Sequence, residues 1–152
     1  MIIKTKHFGE VDIEEINILD FPEGIFGFED ATKYVLLYDQ EADNSPFCWL
    51  QSLDDQAVSL PLINPLSYFP EYNPEVEGEL VEKIGEPIIE DLNLFTVVVV
   101  PEDIKKMTTN LKAPILVNVK TRKGLQVIAK DEEYAIKHNL YDQIKHLQEA
   151  GA

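Results

Sequence analysis

The sequence has little cysteine, few basic residues and no long apolar run. Cys48 is the only cysteine among 152 residues, so no intrachain disulfide can form, which fits a reducing compartment. The longest unbroken aliphatic run, Val97–Val100, is far shorter than the roughly 20 residues that span a membrane. The apolar start of the chain is broken by Lys4 and Lys6, unlike a signal peptide. We therefore expect a soluble, cytoplasmic protein that does not bind membranes.

The shortage of basic residues gives the chain a strongly acidic character. Asp and Glu number 28 against 13 Lys and Arg, for a net charge of −15. Residues 1–100 hold 21 acids and 4 bases, a net −17, whereas residues 101–152 carry a net +2. Because such a surface repels phosphate backbones, no direct contact with nucleic acid is expected. The uneven charge indicates either an interaction surface or a solubilising exterior.

The length of 152 residues suits one domain over residues 1–152. Short apolar runs alternate with Pro, Gly, Asn and Asp, which is typical of a β-rich domain. The connections are mostly too short for crossover helices, which favours antiparallel pairing. We predict a mostly β fold: a small antiparallel barrel-like domain, or a sandwich, with a few short helices and a C-terminal helix. The predicted strands are Ile2–His7, Val11–Ile18, Tyr34–Tyr38, Phe47–Leu53, Val58–Ile63 and Leu94–Val100, with a short helix over Glu79–Ile84.

The clearest local signals lie near the C-terminus. Two strand-like runs, Pro114–Val119 and Leu125–Ala129, flank a short polar loop that ends in Gly124. This spacing predicts a hairpin in which Gly124 takes a positive φ. Asn139 precedes an apolar stripe and is predicted to cap a final helix over Leu140–Glu149.

No cofactor or metal site is predicted from the motifs. No phosphate loop or dinucleotide fingerprint is present, because the glycines lack the strand–turn–helix context. Asp39, Glu41 and Asp43 alternate as calcium-loop ligands do. The required glycine is replaced by Asn44 and the required bidentate acid by Leu50, so a solvated loop is the better interpretation.

Catalytic residues are equally hard to find. Cys48 lies in an aromatic stretch and is predicted to be a small buried hydrophobe. The pair Asp54-Asp55 has the pattern of a turn. We therefore predict that the protein is not an enzyme. Two alternatives stay open, a small-molecule-binding barrel of unknown ligand and a hydrolase with an unrecognised acid pair.

One segment and one turn have the pattern of a protein-binding surface. The segment Tyr68–Glu75 interleaves aromatics, prolines and acids, and prolines exclude it from regular structure. Exposed aromatics beside acids suit a partner that carries basic and apolar groups. The alternative is a loop whose aromatics fold back onto the core. The candidate partner-binding residues are Phe26, at the tip of a glycine-flanked turn, and Phe69, Glu71, Tyr72 and Glu75.

These same residues carry a resemblance to a known family. The stretch Phe21–Glu29, FPEGIFGFE, resembles the FPxGIxGFE signature of the flagellar assembly factor FliW family. Phe26 occupies the second variable position of this signature, where proline is common in the family, and so departs from the usual residue. Further blocks that match in order are Leu50-Gln51-Ser52, Met107–Ile115, the hairpin residues Arg122, Gly124, Gln126 and Val127, and then Glu133, Tyr134, Ile136 and His138.

The resemblance implies a function that composition alone does not. FliW proteins are bacterial cytoplasmic regulators with a small barrel-like fold and are not enzymes. They bind the translational repressor CsrA, a basic mRNA-binding dimer, and so relieve repression of flagellin synthesis. They also bind flagellin, which takes them away from CsrA. The acidic segment 1–100 is compatible with a basic partner, and both competition with RNA and an allosteric effect remain open.

Overall fold

The structure is a computed structural model that describes residues 1–38 and 47–150. The alternating acids Asp39, Glu41 and Asp43 lie outside the described residues. The fold is mostly β, as predicted, with short helical segments and a C-terminal helix. The strands are β1 Ile2–Lys4, β2 Glu10–Asp12, β3 Leu19–Asp20, β4 Lys33–Tyr38, β5 Cys48–Ser52, β6 Ser59–Ile63, β7 Leu92–Val99, β8 Thr108–Thr109, β9 Ile115–Asn118, β10 Lys123–Gln126 and β11 His138–Asn139, and the α-helices are α1 Gly78–Glu82 and α2 Tyr141–Ala150.

Seven strands close into a barrel. Their order around the barrel is β3-β4-β5-β6-β7-β9-β10, and β10 returns to β3. Closure removes most of the unpaired edges that an open sheet exposes. The prediction of antiparallel pairing is correct except at this last contact, where β10 and β3 are parallel through the single pair Lys123 and Asp20. β8 and β11 extend the sheet beyond β7.

The barrel interior is filled by side chains from alternate positions of its strands, as the period of a strand requires. Phe21 packs its ring edge against Tyr34 at 5.3 Å, and both are completely buried. Burial raises the pKa of Tyr34 to about 12. The interior also buries Leu19, Ile25, Ala31, Cys48, Leu50, Val58, Leu62, Phe95, Ile115 and Val117.

Two layers cover the outside of the barrel. The hairpin of β1 and β2 packs on Val35 and Leu37 of β4, together with the half-buried Trp49. At another position α2 packs on Ile63 and Val98. Asn139 caps α2 as predicted, because its Oδ1 accepts a hydrogen bond from the Asp142 amide.

The predicted hairpin between Pro114 and Ala129 forms, but the prediction for its glycine is wrong. Arg122 takes the positive φ of 59°, and Gly124 lies inside β10 with an ordinary φ. Gly124 is required for a different reason: a Cβ there would lie 2.3 Å from the Phe21 ring. The glycine therefore serves the packing of the barrel and not the turn.

The first two predicted strands are longer than the observed ones. Thr5 ends β1 early, because its hydroxyl donates to the Gly9 carbonyl and accepts the Phe8 amide. Glu15–Asn17 forms a 3-10 turn inside the second predicted strand. These side-chain and turn contacts replace the strand pairing that the apolar pattern indicated.

Candidate protein-interaction surface

The turn of residues 24–29 is held by one glycine, one buried side chain and one carboxylate. Gly24 has a φ of +70°, and a Cβ there would lie 2.5 Å from the Glu29 Cα. Ile25 is buried in the barrel and anchors the turn. The Glu29 carboxylate accepts the Gly27 amide at 3.1 Å, and this hydrogen bond lowers the pKa of Glu29. The tip of the turn thus has a defined shape.

Phe26 occupies that tip. Its side chain is 50% exposed, while its backbone amide donates to the Gln126 side-chain oxygen at 2.9 Å. The side-chain amide nitrogen of Gln126 in turn donates to the Ala113 carbonyl at 3.0 Å. The barrel therefore positions the backbone of Phe26 and leaves its ring available to a partner, as the sequence predicts for a glycine-flanked turn.

A second exposed apolar side chain lies two residues after Gln126, which holds this turn. After Gln126, the chain continues extended, and the amides of Val127 and Ala129 donate to backbone carbonyls of the segment before β9. Both of these side chains are buried, so Ile128 between them points outward and is 59% exposed. The Lys130 amide then donates to the Glu75 carbonyl. We call the exposed side chains attached along this segment, those of Phe26, Ile128 and Glu75, the 126–130 face.

Sequence reasoning missed Ile128. The stretch Val127-Ile128-Ala129 is apolar at every position, so the pattern does not show which side chain faces solvent. Its exposure follows from the hydrogen bonds of its two neighbours, which fix the alternation of the segment.

The prediction that Tyr72 is exposed is wrong. Its side chain is only 5% exposed, and its hydroxyl donates to the Leu111 carbonyl at 2.6 Å. Its ring packs edge-on against Tyr134 at 4.7 Å. Burial raises the pKa of the Tyr72 hydroxyl. Tyr72 thus holds the loop to the barrel, because a tyrosine can be buried where its hydroxyl reaches a carbonyl.

The other predicted residues of the loop fall into two groups. Phe69 is half-buried and packs edge-on against His138 at 4.9 Å, in the cluster under α2, so it lies off the 126–130 face. Glu71 and Glu75 are exposed. The Glu75 amide donates to Asp131 at 2.7 Å, which holds the backbone and leaves the Glu75 carboxylate at the surface.

The residues considered for catalysis have structural partners. Asp55 accepts the Ala57 amide two residues later, as expected of a turn residue. Asp54 instead accepts the amides of Thr32 and Lys33, which are distant in the sequence. Cys48 is buried as predicted, and burial raises its pKa to about 11.

Metal ligands and membrane-spanning helices can be assessed for the described ranges 1–38 and 47–150. Within them, no three histidine, cysteine or carboxylate side chains converge as metal ligands do. No helix in the same ranges has the length and apolarity needed to cross a membrane.

Comparisons with known proteins agree with one another. The family model described as "FliW protein" matches residues 2–140. A flagellar assembly factor FliW from Lachnoclostridium phytofermentans is 45% identical over 147 residues, covering 96% of this chain and 94% of the relative. The FliW of Alkaliphilus metalliredigens is 41% identical and covers 98% of this chain and 91% of its own. A crystal structure of the flagellar assembly factor FliW superposes with a TM-score of 0.84 at 36% identity, covering 93% of this chain and 97% of the other.

Proposed function

This chain belongs to the FliW family, and on that premise we propose that it is a flagellar assembly factor that binds CsrA and flagellin in exchange. Binding CsrA relieves its repression of flagellin synthesis, and accumulating flagellin then removes the protein from CsrA. The protein acts without catalysis and in the cytoplasm, where translation is regulated. The observation that supports a protein partner best is the 126–130 face.

The 126–130 face has the properties of a binding surface. Two large apolar side chains, Phe26 and Ile128, are exposed on backbone that hydrogen bonds hold in place. Fixed backbone loses little conformational entropy on binding, so more of the contact energy appears as affinity. Glu75 and Glu71 are the exposed acids that we propose contact basic groups of the partner.

The exchange is tested by size-exclusion co-elution with CsrA and flagellin, first separately and then together. We expect each to co-elute with this protein, and excess flagellin to shift CsrA to its free elution volume. Failure of both partners to co-elute would contradict the proposed function. A stable complex of all three proteins would contradict exchange but leave binding intact.

The site is tested by a double substitution, Phe26→Ala with Glu75→Lys. We expect it to weaken binding to at least one partner at least ~10-fold, equivalent to about 1.4 kcal/mol, because an apolar anchor and a charge contact are both lost. Folding should be unaffected, since only the backbone groups of these residues bond to the barrel. Calorimetric titration with each partner measures the change.

The matched control is Ile89→Ala with Glu90→Lys. Ile89 is 85% exposed, and Glu90 beside it is an exposed acid outside the 126–130 face, so this control makes the same change in charge. We expect it to bind both partners with unchanged affinity. Equal losses for the two double variants would show that only net charge matters.

The acidic character of residues 1–100 leads to a kinetic prediction. Their net charge of −17 should steer a basic partner such as CsrA toward the complex. Raising the salt from 0.15 M to 1 M shortens the Debye length from about 8 Å to about 3 Å, so the association rate should fall. Stopped-flow mixing measures this rate, and a rate independent of salt would exclude steering.

A further inference from the structure

Strand β3 pairs with only two of the six residues of the neighbouring strand β4. It contributes only Leu19 and Asp20 to the pairing. The preceding amides, of Asn17 and Ile18, donate to the carbonyls three residues earlier and so form the 3-10 turn instead of continuing the pairing with β4. The last part of β4 therefore extends beyond its neighbour on that side.

The pairing of β4 with β5 shows which backbone N–H and C=O groups of β4 are left free. The Leu53 amide donates to the Lys33 carbonyl, so alternate residues of β4 from Lys33 onward bond to β5. The groups of Leu36 and Tyr38 therefore point the other way, toward the space that β3 leaves open. Within the described part of the chain, these two residues have no hydrogen-bond partner on that side.

A cleft of about 1230 Å³ lies along this edge. One wall is formed by the segment 7–17 and the other by the rim of the barrel around Val117–Arg122. Its volume exceeds the ~300–1,000 Å³ typical of small-molecule pockets. Exposed apolar side chains, Ile16, Tyr38 and Val119, stand around it, and Tyr38 is 61% exposed.

Charge around the cleft further restricts its occupant. Glu14 lines one wall and Glu15 adjoins it, both exposed, whereas Asp12 on the same wall is paired with the Met1 ammonium at 3.0 Å. Arg122 is the only Lys or Arg among the lining residues. A basic segment is therefore favoured. A second copy of this chain carries the same net charge of −15 and is repelled.

We propose that this cleft binds an extended segment of a protein partner, which adds a strand to the open edge of β4. The backbone of the segment hydrogen-bonds to Leu36 and Tyr38. Side chains at alternate positions of the segment are apolar and contact Leu19, Leu36 and Val117, and a basic residue of the segment meets the acids on the wall of residues 7–17. Strand addition of this kind takes its affinity from the backbone and its specificity from alternate side-chain pockets. The site is distinct from the 126–130 face and does not depend on the partners proposed above.

The test uses amide hydrogen exchange on the full chain with a blocked peptide of alternating valine and lysine. We expect saturating peptide at millimolar concentration to slow exchange of the Leu36 and Tyr38 amides at least ~10-fold, because both become hydrogen-bonded. The same peptide with alternate backbone nitrogens methylated should give no protection, since it loses the donors that pair with the edge. Protection by neither peptide, or equally by both, would overturn the proposal.

Tyr38 provides a matched pair of variants. Tyr38→Pro removes one of the two amides that face the cleft and spares the hydrogen bonds between β4 and β5, and proline is tolerated at such an edge. Tyr38→Ala keeps that amide and loses the same ring. We expect Tyr38→Ala to bind the peptide and Tyr38→Pro to lose at least ~10-fold in affinity, about 1.4 kcal/mol. Equal affinity of the two variants would contradict strand addition.

Other occupants give different results. If anilinonaphthalene sulfonate protects the cleft residues and the peptide does not, the cleft is a small-molecule site and the proposal fails. If sedimentation shows a dimer that Tyr38→Pro dissociates, the occupant is a second copy and the proposal also fails. Should Tyr38→Pro not fold, the comparison of the two peptides on the unaltered chain still decides.

Discussion

Tyr72→Ala is expected to lower the free energy of unfolding by about 3–5 kcal/mol, the usual cost of removing a large buried aromatic side chain. The ring is buried against Tyr134, and its hydroxyl satisfies the Leu111 carbonyl. Truncation therefore leaves both a cavity and an unpaired carbonyl. Against a typical total stability of ~5–15 kcal/mol, the loss leaves a marginally folded chain. Urea unfolding followed by fluorescence or circular dichroism measures it.

Two companion variants test how much of this stability loss comes from the buried ring and how much from the hydroxyl. Tyr72→Phe keeps the ring and removes only the hydroxyl, so we expect a smaller loss of about 1–3 kcal/mol from the unpaired carbonyl. Tyr38→Ala removes an exposed tyrosine and should change stability by less than about 0.5 kcal/mol. A stability of Tyr72→Ala close to that of the unaltered chain would contradict the internal role and restore Tyr72 as a surface residue. If it is internal, any loss of partner binding by Tyr72→Ala must be corrected for unfolding.

Gly124→Ala is expected to destabilise the protein by about 1–3 kcal/mol, because the new Cβ overlaps the Phe21 ring. That ring is completely buried and fixed against Tyr34, so it has no free space to move into. The lower entropy of the unfolded chain favours alanine by only about 0.4–1 kcal/mol and does not offset the overlap. The midpoint of urea unfolding should fall without a change in slope.

The overlap is tested by a double-mutant cycle with Phe21→Leu. In that background, the smaller side chain at position 21 leaves space for the new Cβ. The loss in free energy of unfolding caused by Gly124→Ala should therefore be smaller, by about 0.5–3 kcal/mol, than in the unaltered chain. Gly78→Ala is the control, since a Cβ there meets no atom within 4 Å and should not destabilise. Additive effects of Phe21→Leu and Gly124→Ala would show that close packing on Phe21 is not why residue 124 is glycine.

The 126–130 face and the cleft beside β4 lie toward opposite ends of β10. Gln126, at one end, holds the Phe26 turn, and Arg122, just before the other end, lines the cleft. Two partners that used these separate surfaces would not exclude each other by overlap. Exchange between them would then require a coupling free energy carried through the barrel. A stable complex of all three proteins in the co-elution experiment would show that the two surfaces are used without such coupling.

Local patterns in the sequence were sufficient for much of the fold. The valine-rich run of β7 disfavours helix because branched side chains lose rotamer freedom there, and it forms the longest strand among the described residues. Asn139 caps α2 because its short side chain reaches the amide at the start of the helix. The resemblance in Phe21–Glu29 also found the correct family. Each of these signals is contained within about ten neighbouring residues.

Local sequence patterns could not predict the shortest strands. β3, β8 and β11 have two residues each, too few for a period to be visible. Their pairing is decided by strands far away in the sequence, and β3 in particular joins β10 in parallel to close the barrel. Closure therefore depends on contacts that no local window contains.

The sequence by itself determined the strand-rich composition, the acidic charge and the exposed tip of the Phe26 turn, because each depends on residue type and immediate neighbours. The tertiary structure alone decided which of the apparent surface residues are available. Tyr72 is buried because a carbonyl 39 residues away accepts its hydroxyl, and Ile128 is exposed because its neighbours bond to the segment before β9. Burial is a property of the space around a side chain, and that space is filled by distant parts of the chain.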